Sequence, residues 1–313
     1  MQRGPGPRSL AWRWVPPACV TLFVAGVATS GFAFTLRHYD AHGQLTAGFK
    51  VAYALTAACM TGCVACLWLC WASDPGFVLP NAARDPTLVA VLAGTASAAE
   101  LGWTADPITG KWLNAGGHRY CDVCNLWRPH RAMHCHTCGF CVERHDHHCA
   151  VVGGCIARRN HALFAAFLSF AGGGVVVLAA CSSFQLHDHV RSGGPGFTAW
   201  PTSVHLALMI FYWVTCYAVV PFAATHVAMV LGNRTTRGLM RGGDQQWRCC
   251  TGLDEVCCVP LQRRDAVFHQ WLRLHTAAAA AEQQKSDEPQ GGVELRAHTA
   301  VALPSVVQQP LPP

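Results

Sequence analysis

Four stretches of the chain, 14–36, 51–73, 160–187 and 204–231, each run for at least 23 residues without Lys, Arg, Asp or Glu. The hydrocarbon core of a bilayer is about 30 Å thick and a helix rises about 1.5 Å per residue, so about 20 apolar residues cross it. All four stretches are long enough. Charged residues make up 13% of the chain and hydrophobic ones 51%, a balance that argues against both an ordinary soluble enzyme and a disordered chain. The chain reads as an α-helical polytopic membrane protein with transmembrane helices over 14–36, 51–73, 162–186 and 204–231.

Orientation follows from the basic residues, which concentrate in cytoplasmic segments. Residues 1–13 hold 3 Lys and Arg, 74–161 hold 8 and 232–313 hold 9, which is 20 of the 23. The segments 37–50 and 187–203 hold the other three, Arg37, Lys50 and Arg191. Both termini and the long 74–161 loop are therefore expected in the cytoplasm, with 37–50 and 187–203 lumenal. Arg3, Arg8 and Arg13 ahead of the first stretch, and Ser30, Gly31 and Ala33 near its end, also suit a cleaved signal peptide. Its apolar run exceeds the roughly 7–15 residues of a signal-peptide core, so an anchor is the expectation.

Of 18 cysteines, seven lie between Cys121 and Cys155. Thiols stay reduced in the cytoplasm, so clustered cysteines there read as metal ligands or nucleophiles rather than disulfides. The stretch runs Cys121-x2-Cys124, Arg128-Pro129-His130-Arg131, His134-Cys135-x2-Cys138-x2-Cys141, Asp146-His147-His148-Cys149 and Cys155. Such knuckles are characteristic of structural zinc. Two sites of three Cys and one His would leave one thiol over. An all-cysteine site beside a site of three Cys and one His would use all seven, and spacing alone does not choose.

The segment resembles the DHHC-type cysteine-rich domain (118–164) of protein S-acyltransferases, or palmitoyltransferases. Asp74-Pro75-Gly76 after the second span and Thr235-Thr236 after the fourth add to the likeness. The resemblance implies a first zinc on Cys121, Cys124, His134 and Cys141, and a second on Cys135, Cys138, His148 and Cys155. It implies Cys149 as nucleophile, His147 as its base and Asp146 as the orienting carboxylate, with Thr236 hydrogen-bonded to Asp146. Acyl-CoA, typically palmitoyl-CoA, would be the co-substrate, and Arg119 and Arg128 would hold its phosphates. Membrane-associated proteins with cytoplasmic cysteines would be the acceptors; no nucleic-acid partner is implied. The Golgi or endoplasmic reticulum is the expected membrane. A catalytically inactive, zinc-stapled adaptor of the same fold is the alternative.

The chain departs from the family pattern after Cys149, where Ala150, Val151, Val152, Gly153 and Gly154 replace the usual Pro, Trp and Asn-rich sequence. Val151 takes the position of a Trp expected beneath the nucleophile. Ala157 stands for a usual Gly and Gly238 for the acidic residue after the threonines.

Other features carry less. Cys59, Cys63, Cys66 and Cys70 share one helical face, as small packing residues do. Gly172, Gly173 and Gly174 suit either an acyl cavity or close helix packing. His38, Asp40 and His42 with His187, Asp188 and His189 read as polar loops. Cys249, Cys250, Cys257 and Cys258 near Arg248, Arg263 and Arg264 suit tail S-acylation. A helix is expected over 265–284 and a disordered end beyond about 285.

Overall fold

The structure is a computed structural model, and it describes residues 14–36, 43–107, 109–193 and 200–240, with Gln270 and Arg273. The expectations for 1–13, for His38, Asp40 and His42, for the tail cysteines, for the 265–284 helix as a whole and for the end beyond 285 lie outside the described residues.

Among the described residues, four helices are long and apolar enough to cross a membrane: Val15–Thr35, Ala47–Ala72, His161–Arg191 and Thr202–Leu231. The chain is a multi-pass membrane protein. The first span is α1 (Val15–Ser30) continued by a π-helical turn, Gly31–Thr35. The second is α2 (Ala47–Ala72), the third α4 (His161–Arg191) and the fourth lies in α5 (Trp200–Leu231). Short α3 (Pro86–Leu92) lies between α2 and α4, and α6 (Thr236–Met240) follows α5. α2 takes in Lys50 and α4 runs beyond residue 186 to Arg191. Charged residues end the apolar run but need not end a helix, because long side chains at the bilayer edge can reach outward while the backbone ladder continues.

Glycines set how closely the helices approach. A Cβ on Gly174 would stand 2.8 Å from the Met60 Cε and 3.2 Å from the Cys59 Cβ, while one on Gly173 would stand 3.4 Å from the Cys59 Sγ. A Cβ on Gly172 would stand 3.4 Å from Val220 on α5. The run at 172–174 thus lies against neighbouring helices, in keeping with the close-packing reading rather than the acyl-cavity one. Gly62 faces the Phe170 ring and Gly31 the Leu178 side chain with less than 3 Å to spare for a Cβ. Small residues let helices meet where lipid offers no hydrophobic drive toward association. Polar bonds add to this: Trp68 Nε1 donates to Thr21 Oγ1 at 3.0 Å, and Ser30 Oγ lies 2.9 Å from the Tyr212 hydroxyl.

Between α2 and α4 the chain folds into short strands: β1 (Phe77–Val78), β2 (Thr104–Ala105), β3 (Trp112–Leu113), β4 (Tyr120–Cys121), β5 (Leu126–Trp127), β6 (Met133–Cys135), β7 (Phe140–Val142), β8 (His147–Cys149) and β9 (Gly154–Ile156). They form antiparallel pairs β2–β3, β4–β5 and β8–β9 and a three-stranded sheet ordered β1-β7-β6. Two- and three-residue strands cannot stand alone in water, so this domain needs other staples.

One staple joins it to the bundle. Buried Asp74 accepts hydrogen bonds on Oδ1 from the Gly76 and Phe77 backbone amides at 3.0 Å, and on Oδ2 from the Arg159 guanidinium at 2.6 Å. The end of α2 and the start of α4 are thereby tied. Asn160 adds a second tie, donating to the Cys155 carbonyl at 2.9 Å and accepting from the Ala157 amide at 2.9 Å. The Cys70 Sγ lies 3.7 Å from the Asn160 carbonyl.

Candidate active site and metal centres

The hairpins bring the eight proposed ligands together in a repeating way. In β6–β7, His134 lies directly across from Cys141, and in β8–β9, His148 lies across from Cys155. Each such His-Cys pair meets the Cys-x2-Cys knuckle of the preceding hairpin. The first group is Cys121, Cys124, His134 and Cys141; the second is Cys135, Cys138, His148 and Cys155. Neighbouring strand residues face opposite sides, so His134 serves one group and Cys135 the other. That alternation interleaves the sites.

Their geometry suits a tetrahedral ion. The His134 Nδ1 lies 3.6, 3.3 and 3.9 Å from the Sγ atoms of Cys121, Cys124 and Cys141. The His148 Nδ1 lies 3.6, 3.5 and 3.7 Å from those of Cys135, Cys138 and Cys155. Tetrahedral zinc with ordinary bond lengths sets a sulfur–nitrogen edge of about 3.6 Å. With four protein donors each, the two groups suit structural ions and leave no position for a reacting water.

Cys149 belongs to neither group. It ends β8, two residues from His147, and the same alternation that turns His148 toward its metal group leaves His147 and Cys149 on the other face. The His147 Nδ1 lies 2.7 Å from Asp146 Oδ2. Asp146 is buried, and it also accepts from the Thr236 amide at 2.5 Å on Oδ1 and from the Thr236 hydroxyl at 3.1 Å on Oδ2. A residue that opens α6, just beyond the fourth span, thus holds the carboxylate bonded to His147.

The electrostatics follow from these bonds. Burial pushes the Asp146 carboxyl up, but the hydrogen bond from His147, the nearby His161 and the Thr236 amide outweigh it and hold it at about 2. Burial pushes His147 down, but hydrogen bonds with Asp146 and Cys149 raise it to about 9. For Cys149 burial again opposes ionisation, and the hydrogen bond with His147 brings the thiol below its ordinary value. Asp146 is therefore charged above the usual carboxylate range and loses its charge only as pH falls through about 2. His147 stays charged below its ordinary range and loses its proton only as pH rises through about 9. Between these limits the carboxylate–imidazolium pair persists beside a thiol inclined to ionise. Asp146→Asn is expected to shift Cys149 alkylation by iodoacetamide toward alkaline pH and slow it about 10²-fold at neutral pH. A profile identical to that of the native protein would show that the carboxylate does not act on the thiol.

The other side of Cys149 is apolar. It packs in one cluster with Cys63, Leu67 and Cys70 of α2, with Val152 and Ile156 of the hairpin, with Phe164, Phe167 and Leu168 of α4, and with Ala223 of α5. Val152 is fully buried here, whereas Val151 is 45% exposed. The residue packed with Cys149 is therefore Val152, which corrects the expectation for Val151. The turn after Cys149, closed by the Gly153 amide onto the Cys149 carbonyl at 2.9 Å, rotates the two valines apart.

A cleft of about 420 Å³ opens on the polar side, lined by His136, Thr137, Asp146, His147, Thr236 and Arg237 among others. A separate basic cavity of about 220 Å³ is lined by His118, Arg119, Arg128, His130 and Arg131. Arg119 is paired with Asp106, and Arg131 donates to Asn233 just beyond α5 at 3.0 and 3.1 Å. Arg128 is buried, and its Nε has no hydrogen-bond partner among the described residues.

A model of the DHHC palmitoyltransferase family matches residues 114–242. This match supports a DHHC-type protein S-acyltransferase family for the chain. The match begins before the first metal knuckle, runs through the third and fourth spans and ends just past Thr236. A search of curated proteins finds no match.

Two histidines to which the sequence reading gave no site role lie at the site. His161 and His226 are both buried and lie with Asp146 in one group whose donor atoms are all within 4.8 Å of one another. The available signal was an ionisable residue inside an apolar span, which merits a functional hypothesis by itself.

Proposed function

We propose that this protein is an active protein S-acyltransferase that moves a fatty acyl group, palmitoyl in the first instance, from acyl-CoA to cysteines of membrane-associated proteins. The observation that carries the reading is Cys149: a thiol outside both ligand groups, lowered by His147, with apolar residues of three spans around it.

In the first half-reaction the Cys149 thiolate attacks the thioester carbonyl of acyl-CoA. As the carbonyl re-forms, the carbon–sulfur bond to CoA breaks, and the leaving thiolate takes the proton from His147. The acyl group is then a thioester on Cys149. In the second half the substrate cysteine gives its proton to His147 and attacks that thioester, and Cys149 leaves as thiolate. A thioester is exchanged for a thioester in each half, so neither is strongly uphill. Asp146, held by Thr236, keeps the His147 Nδ1 side occupied so that the other ring nitrogen faces sulfur.

The apolar cluster beside Cys149 suits the start of the acyl chain, whose transfer into hydrocarbon is favourable by about 0.8 kcal/mol per CH2. The basic cavity at Arg128 suits CoA phosphates, with Arg119 and Arg131 contributing charge while held by Asp106 and Asn233. Zinc in the two groups supplies the fixed frame that sets the β8–β9 hairpin. The excess of Lys and Arg on 1–13, 74–161 and 232–313 supports a cytoplasmic site, where thiols remain reduced.

The test is to incubate the purified zinc-loaded protein with labelled palmitoyl-CoA and map the label by mass spectrometry. A hydroxylamine-sensitive adduct on the Cys149 peptide is expected. No adduct on that peptide, with both metal groups occupied, would favour the inactive adaptor.

A further inference from the structure

His161 opens α4 and His226 lies in α5, and each is 1% exposed. The His161 Nε2 and the His226 Nδ1 are 3.0 Å apart. Two nitrogens bound to one tetrahedral zinc would stand about 3.3 Å apart, whereas 3.0 Å is an ordinary hydrogen-bond length. The third member of the group, Asp146, already accepts from His147 and from both donors of Thr236. The two imidazoles stand at hydrogen-bonding distance of each other.

This bond has a competitor. A carboxylate oxygen of Asp146 lies within 4.8 Å of a ring nitrogen on each histidine. We assign the proton of this bond to the His161 Nε2, with the His226 Nδ1 accepting; that N–H then has a second acceptor nearby in Asp146, and an ionised acceptor makes the stronger bond. His161 instead engages His226. The His226 ring is fixed for this role by edge contacts with Phe164, at 4.9 Å between centroids, and Phe222, at 4.6 Å. Its ring centroid is 5.9 Å from that of His147. The charged and titratable groups around the pair are Asp146, His147 and, beside His161, Arg144.

We infer that His226 is a positioning residue whose hydrogen bond keeps His161 off Asp146, so that the carboxylate stays committed to His147. The inference deepens the acyltransferase reading and rests on it for its purpose, though not for its test. Removing His226 alone leaves the His161 N–H buried without its partner. The nearest strong acceptor is then Asp146, and a carboxylate shared with His161 holds His147 less well. Removing both histidines removes the competitor along with its restraint. A pair of buried polar groups replaced together by apolar groups of similar shape costs far less than one left unpaired.

The test uses full-length zinc-loaded protein in detergent micelles and four forms: native, His226→Phe, His226→Asn and the double variant His161→Phe/His226→Phe. Phe keeps the ring contacts with Phe164 and Phe222, and Asn restores a hydrogen-bonding side chain. The readouts are the iodoacetamide alkylation rate of Cys149 at one fixed pH, acyl-enzyme formation from palmitoyl-CoA, and bound zinc. His226→Phe is expected to slow alkylation about tenfold, the size of one lost hydrogen bond to a charged group. The double variant should recover to within about threefold of native, a non-additive result that signals direct coupling. His226→Asn should fall between native and His226→Phe, and zinc should stay at two per chain throughout.

His226→Phe reacting at the native rate would overturn the inference. A double variant no faster than His226→Phe would do the same, since the histidines would then be supporting the site rather than restraining each other. A third bound metal ion lost with His226 would replace the hydrogen-bond reading with a metal site. If the native protein forms no acyl-enzyme yet alkylation follows the expected pattern, the acyltransferase reading falls and the positioning role stands.

Discussion

Cys149→Ser will keep two zinc ions per chain and lose the hydroxylamine-sensitive acyl adduct, with acyl-enzyme formation falling on the order of 10⁴-fold or more. The zinc half of the result follows from geometry. All eight donor atoms converge without Cys149, and the His134 and His148 nitrogens already lie at tetrahedral edge distances from three sulfurs each. The kinetic half follows from the thiol. His147 and Asp146 bring a cysteine below its ordinary value, but a serine hydroxyl starts far higher and is a much weaker nucleophile when held by the same imidazole. Bound zinc measured beside the label separates the two halves. Loss of one ion with Cys149 would make that residue a ligand and leave the hairpin without a nucleophile. Label persisting at full rate would move the chemistry to another thiol, and the same assay on Cys250→Ser covers one candidate in the tail.

How much of this site could be read from the chain depends on the distance over which each relation acts. The knuckle spacing marked this stretch as metal-binding because it is local, but the division into two groups came through family likeness; in the structure, alternation along β6 sends His134 and Cys135 to different groups, and alternation along β8 separates His148 from His147 and Cys149. The four spans were legible because a bilayer demands an unbroken apolar run, although their ends were not, since α2 includes Lys50 and α4 continues to Arg191. Thr236 was reached only through family likeness; no periodicity connects it to Asp146, 90 positions earlier. His226 and His161 stand 65 positions apart and meet only because α4 and α5 pack side by side. Val151 was misplaced for a related reason. A position within a turn does not say which of two adjacent side chains goes inward, and here the Gly153 turn sends Val152 into the core.

The same locality makes the metal groups the weakest point of the fold. Cys155→Ala is expected to lower bound zinc to one ion or none and to reduce acyl-enzyme formation at least about 10³-fold, although Cys149 is untouched. Strands β8 and β9 have three residues each and, among the described residues, pair only with each other. Such a hairpin has little stability of its own, whereas a structural zinc site contributes about 10 kcal/mol or more. Cys155 lies across from His148 and bonds through its carbonyl to Asn160, so its side chain and backbone serve separate ties. Ala retains the backbone tie to Asn160 and removes only the metal donor, which isolates the contribution of zinc. Without it, His148 is free to rotate out, and His147 and Cys149 on the same strand lose the register that sets them against Asp146 and the apolar cluster. Limited proteolysis should therefore begin cutting within 146–156 in Cys155→Ala while sparing the four spans. If this variant instead keeps its hairpin intact and forms acyl-enzyme at the native rate, the frame around Cys149 comes from the helices alone, and the second metal group has another role.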